Sequence, residues 1–283
     1  MEAVDLPRLL NTSGFPFQLR VEAEISTLTS GNGWSVRSRE HQWRHGVSQN
    51  SGFIDLVTGY GIVRAVIECK RADSSRWLFL VPGRGDQQQS RARCLCTERG
   101  AGGIVFQWAD LHVDPFSYEA PFCIGASGSG KERKDRDPML LERISDDLLQ
   151  SVEALAVEEL MLDRSGRGIL FPMVVTAAQL LVATFDPKDT SIETGELPPA
   201  SAAFSEVSFI RFRKALAHGL PAPLTPILPG PRISDLAASN RDKERTVFVV
   251  NSGHIGRFFE AWNVEPMLGD AWPHTILRRQ SLP

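Results

Sequence analysis

The chain has 283 residues, of which 42% are hydrophobic and 23% are charged, values that exclude disorder of the whole chain. This length is enough for one large α/β domain or two small ones. The formal net charge of −3 excludes a polycation, although residues 1–100 carry 13 Lys and Arg against 10 Asp and Glu. Twelve of those cations are arginines, which favours a polyanionic partner there, while an ordinary Arg-rich composition explains the bias equally well.

The beginning of the chain, residues 1–5, lacks the basic start and apolar run of a signal peptide, so we expect a cytoplasmic protein. Its four cysteines are then expected to be free thiols in a reducing compartment. The longest apolar stretch, residues 169–185, is interrupted by Pro172, Thr176 and Gln179. It therefore predicts buried strands, and no membrane partner is expected.

The first part of the chain predicts the order helix, three strands, helix, strand. Pro16 begins a helix that carries Phe17, Val21, Ile25 and Leu28 on one face and ends at the glycines of residues 31–33. The remaining segments follow in chain order. Strands are predicted at 34–45, 51–58 and 62–71, with a tight hairpin at 58–61, then a polar helix at 86–99 and a buried strand at 104–108.

The second part of the chain begins after a polar, glycine-rich loop at residues 125–137. It predicts a long helix at 138–162, strands at 169–185, 207–212 and 246–251, a proline-rich loop at 221–231 and a short helix at 255–262. We therefore divide the chain into a core at 1–124, the loop at 125–137, and an α/β region at 138–283. That last region is expected to pack on the core, mediate dimerisation or sense a partner.

Three charged residues interrupt two apolar strands. Glu68 and Lys70 lie two residues apart, so they share one strand face, whereas Ala65, Ile67 and Cys69 point to the core. Asp55 interrupts the preceding strand, and a turn near Gly59–Gly61 would place it opposite about Ala65, with Glu68 roughly 10 Å further along the strand. Buried charges are costly unless they are paired or bind a metal. Two carboxylates suit Mg²⁺ or Mn²⁺, and a lysine beside them suits a phosphodiester.

Asp55 followed on the next strand by Glu68-Cys69-Lys70 resembles the motif of PD-(D/E)XK nucleases, the restriction-endonuclease-like superfamily. Further likeness lies in the segments 14–17 and 77–79, and the resemblance covers about residues 14–110. It implies an α/β fold whose α-β-β-β-α-β core has a mixed sheet flanked by helices. Ile54 stands where the motif has proline, and Gln18 stands where many relatives carry a helix acid.

The resemblance implies a metal-dependent endonuclease that hydrolyses nucleic acid, with DNA favoured, in restriction or phage defence. Asp55 and Glu68 would bind the metal, and Lys70 would assist the attacking water. Glu22, one helical turn after Gln18, is our choice for the helix acid, with Glu24 as the second candidate. A homodimer or a defence-system partner protein is also expected.

Three further residues are weaker candidates for nucleic-acid contacts. Arg71, Arg76 and Gln88 follow the motif and could meet phosphates at the mouth of the site, although solvated surface explains each of them equally well.

Other readings of the motifs remain open. The acid–lysine pair could be a surface salt bridge, and a nuclease-like module could bind nucleic acid or a protein partner without cutting. The segment 125–131 mimics a phosphate-binding loop, but Glu132 stands where Ser or Thr would be required. Cys94-x-Cys96 lacks the spacing of a zinc knuckle.

Overall fold

A computed structural model describes residues 5–71, 76–83, 88–100, 103–126, 140–162, 167–216, 240 and 243–264. The helices described are α1 (Leu6–Thr12), α2 (Phe15–Asn32), α3 (Leu140–Leu162) and α4 (Ile255–Ala261). The strands before α3 are β1 (Ser35–Arg44), β2 (Ser51–Tyr60), β3 (Val63–Lys70), β4 (Arg76–Pro82), β5 (Gln88–Gly100), β6 (Gly103–Ala120) and β7 (Phe122–Ala126). Those after it are β8 (Arg167–Thr176), β9 (Gln179–Phe185), β10 (Ala202–Val207), β11 (Phe209–Ala215), β12 (Glu244–Asn251) and β13 (Asn263–Val264).

The predicted restriction-endonuclease-like fold class is wrong. Strands make up 53% of the described residues, and five of them close into a barrel, so the architecture is not a mixed sheet flanked by helices. The barrel runs β8-β12-β11-β6-β5 and returns to β8. The predicted strands 169–185, 207–212 and 246–251 are real, but their closure with β5 and β6 depends on long-range pairing that local periodicity does not encode.

Two sheets organise the described strands. The larger one continues from the barrel through β8 into β3, β2 and β1, with β3 parallel to β8 and antiparallel to β2. The smaller one has the order β10-β9-β4-β7. Strands from before residue 125 and after residue 138 are hydrogen-bonded neighbours in both sheets. The division of the chain at 125–137 stays a prediction.

Helices α2 and α3 pack on opposite faces of the β1–β2–β3–β8 part of the sheet. On α2, Val21 and Ile25 are buried against Leu56 and Ile67, which confirms the predicted core face of this helix. Its C-terminal cap is Gly33, whose φ of 77° lies in the left-handed region that glycine adopts without strain. Helix α3 faces the other core, which also holds the buried side of the smaller sheet.

The predicted helix at residues 86–99 is wrong, because residues 88–100 form strand β5. Ala92, Cys94 and Cys96 are all buried in one core, which is the alternation of a strand. Polar residues at the remaining positions hid this period of two. The strand is held by β6 on one side and β8 on the other, so tertiary pairing decides its conformation.

Several remaining predictions can be compared with the described residues. The helix at 138–162 and the strands at 34–45 and 169–185 agree with α3, β1, β8 and β9. Most of the glycine-rich loop, including the phosphate-loop mimic, and all of the proline-rich loop lie outside the described residues. Within the described part of the chain, no helix combines the length and the apolar character needed to span a membrane.

Candidate active site

The hairpin between β2 and β3 brings Asp55 and Glu68 together. Its turn lies at residues 61 and 62, where Gly61 has a φ of 54°, and Leu56 pairs with Ile67. Continuing that register by one residue places Asp55 opposite Glu68. The predicted register, with Asp55 opposite Ala65, is wrong because the strand continues through Tyr60 before it turns. The actual register brings the two acids closer than we expected.

Strand pairing is interrupted where Asp55 faces β1. Arg39 pairs with Leu56 and His41 with Ile54, so the register passes over Glu40 and Asp55, which lie opposite each other. Glu40 has a φ of 47°, a left-handed conformation that non-glycine residues rarely adopt. Along β2, Ile54 and Leu56 point into different cores although a regular strand would place them on one face. The distortion re-aims the side chains between them.

Gln18 of α2 fills this interruption. Its side-chain amide donates to the carboxylate of Glu40, with Nε2 2.5 Å from Oε1, and to the backbone carbonyl of Asp55 at 3.0 Å. Gln18 is only 7% exposed. A buried amide with two acceptors on two different strands fixes their relative position.

The carboxylate of Asp55 is held by backbone rather than by a cation. Its Oδ2 accepts a hydrogen bond of 2.7 Å from the backbone N–H of Cys69. Burial raises the pKa of Asp55 to about 6, and the negative charge of Glu68 adds to this effect, with a smaller contribution from Glu40. The hydrogen bond from Cys69 and the charge of Lys70 act in the opposite direction. Burial is the largest of these causes, so the carboxylate of Asp55 is costly to ionise where it lies.

Glu68 and Lys70 form an ion pair on the face that the strand alternation predicts. Burial acts to lower the pKa of Lys70, but its contact with Glu68 and the nearby charge of Asp55 outweigh burial, so this pKa is raised. Lys70 is therefore protonated at neutral pH. Glu68 is 21% and Lys70 39% exposed on their side chains, so the pair is neither a deeply buried bridge nor a fully solvated one.

A cleft with a volume of about 400 Å³ opens beside these residues. Asp55, Lys70, Gln18 and Glu40 line it together with Arg71. The guanidinium of Arg71 donates to the backbone carbonyl of Asn11, at the junction of α1 and α2, which forms the opposite wall. Burial raises the pKa of the Cys69 thiol, which stays neutral on the same wall.

The other predicted site residues are placed elsewhere. Glu22 lies 3.6 Å from Arg39, and Glu24 pairs with Arg20 at 2.7 Å. Neither carboxylate is among the residues that line the cleft, and Glu68 adjoins it only through its ion pair with Lys70. The two remaining candidates for nucleic-acid contacts are exposed at the starts of other strands, Arg76 on β4 in the smaller sheet and Gln88 on β5 in the barrel.

Sequence reasoning missed Glu40. It sits in a run of polar residues on β1 that has no motif, so its own neighbours gave no signal. A correct pairing of β1 with β2 would have placed it opposite Asp55, but that register depends on a strand irregularity between Val36 and Ser38. Such an irregularity shifts every later residue by one position.

The donor set suits a hard divalent cation. Mg²⁺ prefers oxygen ligands, and proteins often supply only one or two carboxylates while water completes the shell. Asp55 and Glu68 are such a pair, and a cation would favour the ionised form of Asp55, whose pKa burial raises to about 6. Across the described part of the chain, no three His, Cys, Asp or Glu side chains are grouped closely enough to share an ion.

No known protein family, curated protein or solved structure matches the chain.

Proposed function

We propose that the protein is a metal-dependent nuclease that hydrolyses phosphodiester bonds in nucleic acid, with DNA favoured as the substrate. The observation that carries this proposal is the position of Asp55 opposite Glu68 on the neighbouring strand, with the protonated Lys70 beside Asp55 in the cleft. Two acids for a cation beside one fixed positive charge suit a phosphodiester, whose charge must be stabilised as it reacts. We propose the cytoplasm as the setting, in restriction or phage defence.

Each residue has a distinct role in this proposal. Asp55 and Glu68 would hold Mg²⁺ or Mn²⁺, which supplies Lewis-acid stabilisation of the phosphodiester. The hydrogen bond from the N–H of Cys69 orients Asp55 before any ligand arrives. Lys70 would contact a phosphate oxygen or the attacking water. Arg71, at the cleft wall, would contact a neighbouring phosphate.

The decisive experiment is a cleavage assay on single- and double-stranded DNA and RNA with increasing Mg²⁺ or Mn²⁺. Wild type is compared with Lys70→Ala and with Lys188→Ala, a matched loss of one exposed lysine outside the cleft. We expect Lys70→Ala to reduce cleavage at least 100-fold with unchanged circular dichroism, and Lys188→Ala to retain activity within about threefold. Equal activity in wild type and Lys70→Ala would refute the assignment of the site.

The ion pair between Glu68 and Lys70 favours one second candidate, a module that binds nucleic acid or a partner protein without cutting. In this pair the lysine neutralises one of the two proposed metal ligands. Binding of DNA that is insensitive to divalent cations and leaves the strand intact would support the module. Strand cleavage that requires the cation would exclude it.

A further inference from the structure

The hydrogen bond between Gln18 and Glu40 has no role in the proposed function. Glu40 is the residue on β1 that lies across from Asp55, and its φ of 47° prevents it from continuing the regular strand. Non-glycine residues in this region of backbone space are concentrated at functional sites. The conformation turns the Glu40 carboxylate into the cleft, where Gln18 meets it.

The orientation of the Gln18 amide depends on Glu40. An amide has a donor end and an acceptor end, whereas an ionised carboxylate only accepts. Glu40 therefore selects the orientation in which Nε2 faces the strands, and the same Nε2 reaches the carbonyl of Asp55 at 3.0 Å. Without the carboxylate, the amide is free to turn its oxygen toward that carbonyl, which would repel Asp55.

We infer that Glu40 is a positioning residue of the proposed site and acts through Gln18 to fix the backbone of Asp55. The inference rests on the proposed function, because it assigns a role toward the same divalent cation. Asp55 has its carboxylate tied to Cys69 on β3 and its carbonyl tied to Gln18 on α2. Together these two hydrogen bonds hold Asp55 at a position where β1 and β2 are not paired.

The charge pattern supports a role beyond simple packing. Glu40, Asp55 and Glu68 lie in one row across β1, β2 and β3. Like charges directly opposite each other on neighbouring strands destabilise a sheet, so such a row is costly for folding alone. A cation at Asp55 and Glu68 would offset this repulsion, and Glu40 would add to the negative potential that attracts it.

The test measures binding of Mn²⁺ by electron paramagnetic resonance, which does not depend on cleavage. Wild type is compared with Glu40→Ala, Glu40→Gln and Gln18→Leu. The matched control is Glu260→Gln, an exposed acid on α4 outside the cleft. We expect Glu40→Ala and Gln18→Leu each to weaken Mn²⁺ binding at least tenfold, the size typical of residues that orient a metal ligand. The control should stay within twofold.

A double variant separates positioning from independent effects. If Glu40 acts through Gln18, the combination of Glu40→Ala with Gln18→Leu should bind Mn²⁺ no more weakly than either single variant. Glu40→Gln retains an acceptor for the amide and should lose less affinity than Glu40→Ala. If Glu40→Ala does not fold, as judged by circular dichroism, the same comparison is made with Glu40→Gln and Gln18→Leu.

The outcomes separate this inference from the proposed function. Mn²⁺ binding that depends on Glu40 and Gln18, without strand cleavage, would support the inference and refute the nuclease proposal. Cleavage and Mn²⁺ binding by Glu40→Ala at wild-type levels would overturn the inference and leave the nuclease proposal standing. Additive losses in the double variant, or no Mn²⁺ binding by wild type, would also overturn it.

Discussion

Strand pairing is interrupted in two regions of the molecule. In each region, one long side chain from a neighbouring element fills the interruption. In the barrel, the pairing of β5 with β6 shifts between Gln89 and Arg91. Arg211 of β11 fills this interruption and is fully buried. At the cleft, the pairing of β1 with β2 passes over Glu40 and Asp55, and Gln18 of α2 fills that one.

The two interruptions differ in what they leave unsatisfied. The guanidinium of Arg211 donates to three carbonyls and one hydroxyl, those of Gln89, Val113, Pro115 and Ser117, at 2.6 to 2.9 Å. Burial lowers its pKa to about 10, still far above neutrality, so the charge is kept. The cleft instead gathers like charges that face an opening. A closed interruption whose carbonyl groups are satisfied by hydrogen bonds serves the fold, whereas an open one lined by charged side chains is suited to a ligand.

Arg211→Met gives the largest stability effect that the comparison predicts. The substitution leaves three carbonyl groups, one buried and two partly buried, without their donor, which we expect to lower the free energy of unfolding by about 3–5 kcal/mol. Urea unfolding at pH 7 measures the loss. Mn²⁺ binding by the folded fraction should be unchanged, because the barrel interruption has no part in the cleft. A loss below about 1 kcal/mol would contradict the structural role.

Asp55→Asn should instead raise the free energy of unfolding of the metal-free protein. The pKa of Asp55 is raised from 3.8 to about 6, so its contribution to stability is present below pH 3.8 and is lost as pH rises through about 6. At pH 8 the wild type carries this penalty and the asparagine variant does not. Since each pKa unit corresponds to about 1.4 kcal/mol, and solvent screening reduces the total, we expect a gain of about 2 kcal/mol.

Unfolding by urea in the presence of a chelator checks this prediction at pH 4 and pH 8. The asparagine still accepts the hydrogen bond from Cys69, so packing is conserved. The stability difference between variant and wild type should vanish near pH 4. A variant that is less stable than wild type at pH 8 would show that Asp55 serves the fold rather than a ligand. Cleavage should be abolished in either case.

Glu153 shares features with both regions. It is buried like Arg211 in the barrel, and it carries an ionisable carboxylate like the acids of the cleft. Its carboxylate accepts from the indole of Trp108 at 2.8 Å and lies 3.3 Å from His45. Burial raises the pKa of Glu153 to about 7, against the opposing hydrogen bond from Trp108 and the charge of Arg245. Its favourable contribution is therefore complete below pH 4.5 and is lost as pH rises through about 7.

Glu153→Gln should remove most of this pH-dependent loss of stability. Between pH 4.5 and pH 7.5, the variant is expected to gain about 2 kcal/mol relative to wild type, because each pKa unit corresponds to about 1.4 kcal/mol and solvent screening reduces the total. The cost of repacking the amide against His45 is the same at every pH. The pKa of His45 is itself lowered by burial, which favours the folded state as pH rises, and this opposite trend is present in both proteins. If the free energies of unfolding of the two proteins changed with pH in parallel, the raised pKa of Glu153 would be contradicted.

Local sequence signals were sufficient to predict the elements in which the spacing of apolar residues marks one buried face. Helix α2 has its apolar residues at helical spacing between Pro16 and Gly33, and β3 alternates around Glu68 and Lys70. The barrel could not be predicted, because its closure joins β5 to β8 across about 70 intervening residues and nothing in the polar run of β5 records that partner. Pairing of distant strands is decided by packing of the whole chain.

At the site, the sequence predicted the residue types but not their geometry. The pattern of Asp55, Glu68 and Lys70 required only strand alternation and the unusual presence of charge among apolar neighbours. Glu40 and the role of Gln18 required the register of β1, which changes at a strand irregularity. Residues whose placement depends on an irregularity are not visible to periodicity.

The smallest predicted effect on stability comes from a charge pair that lies neither at a strand interruption nor in the cleft. Arg20 and Glu24 lie 2.7 Å apart on α2, with side chains 70% and 37% exposed. Arg20→Met should change the free energy of unfolding by less than about 0.5 kcal/mol, because solvent screens exposed helix pairs and the arginine precedes the acid, the less favourable order. Urea unfolding beside Arg211→Met measures both arginines in one protein. If the two substitutions cost the same, the number of ionic contacts rather than burial would govern stability, and the contrast between barrel and cleft would have no energetic basis.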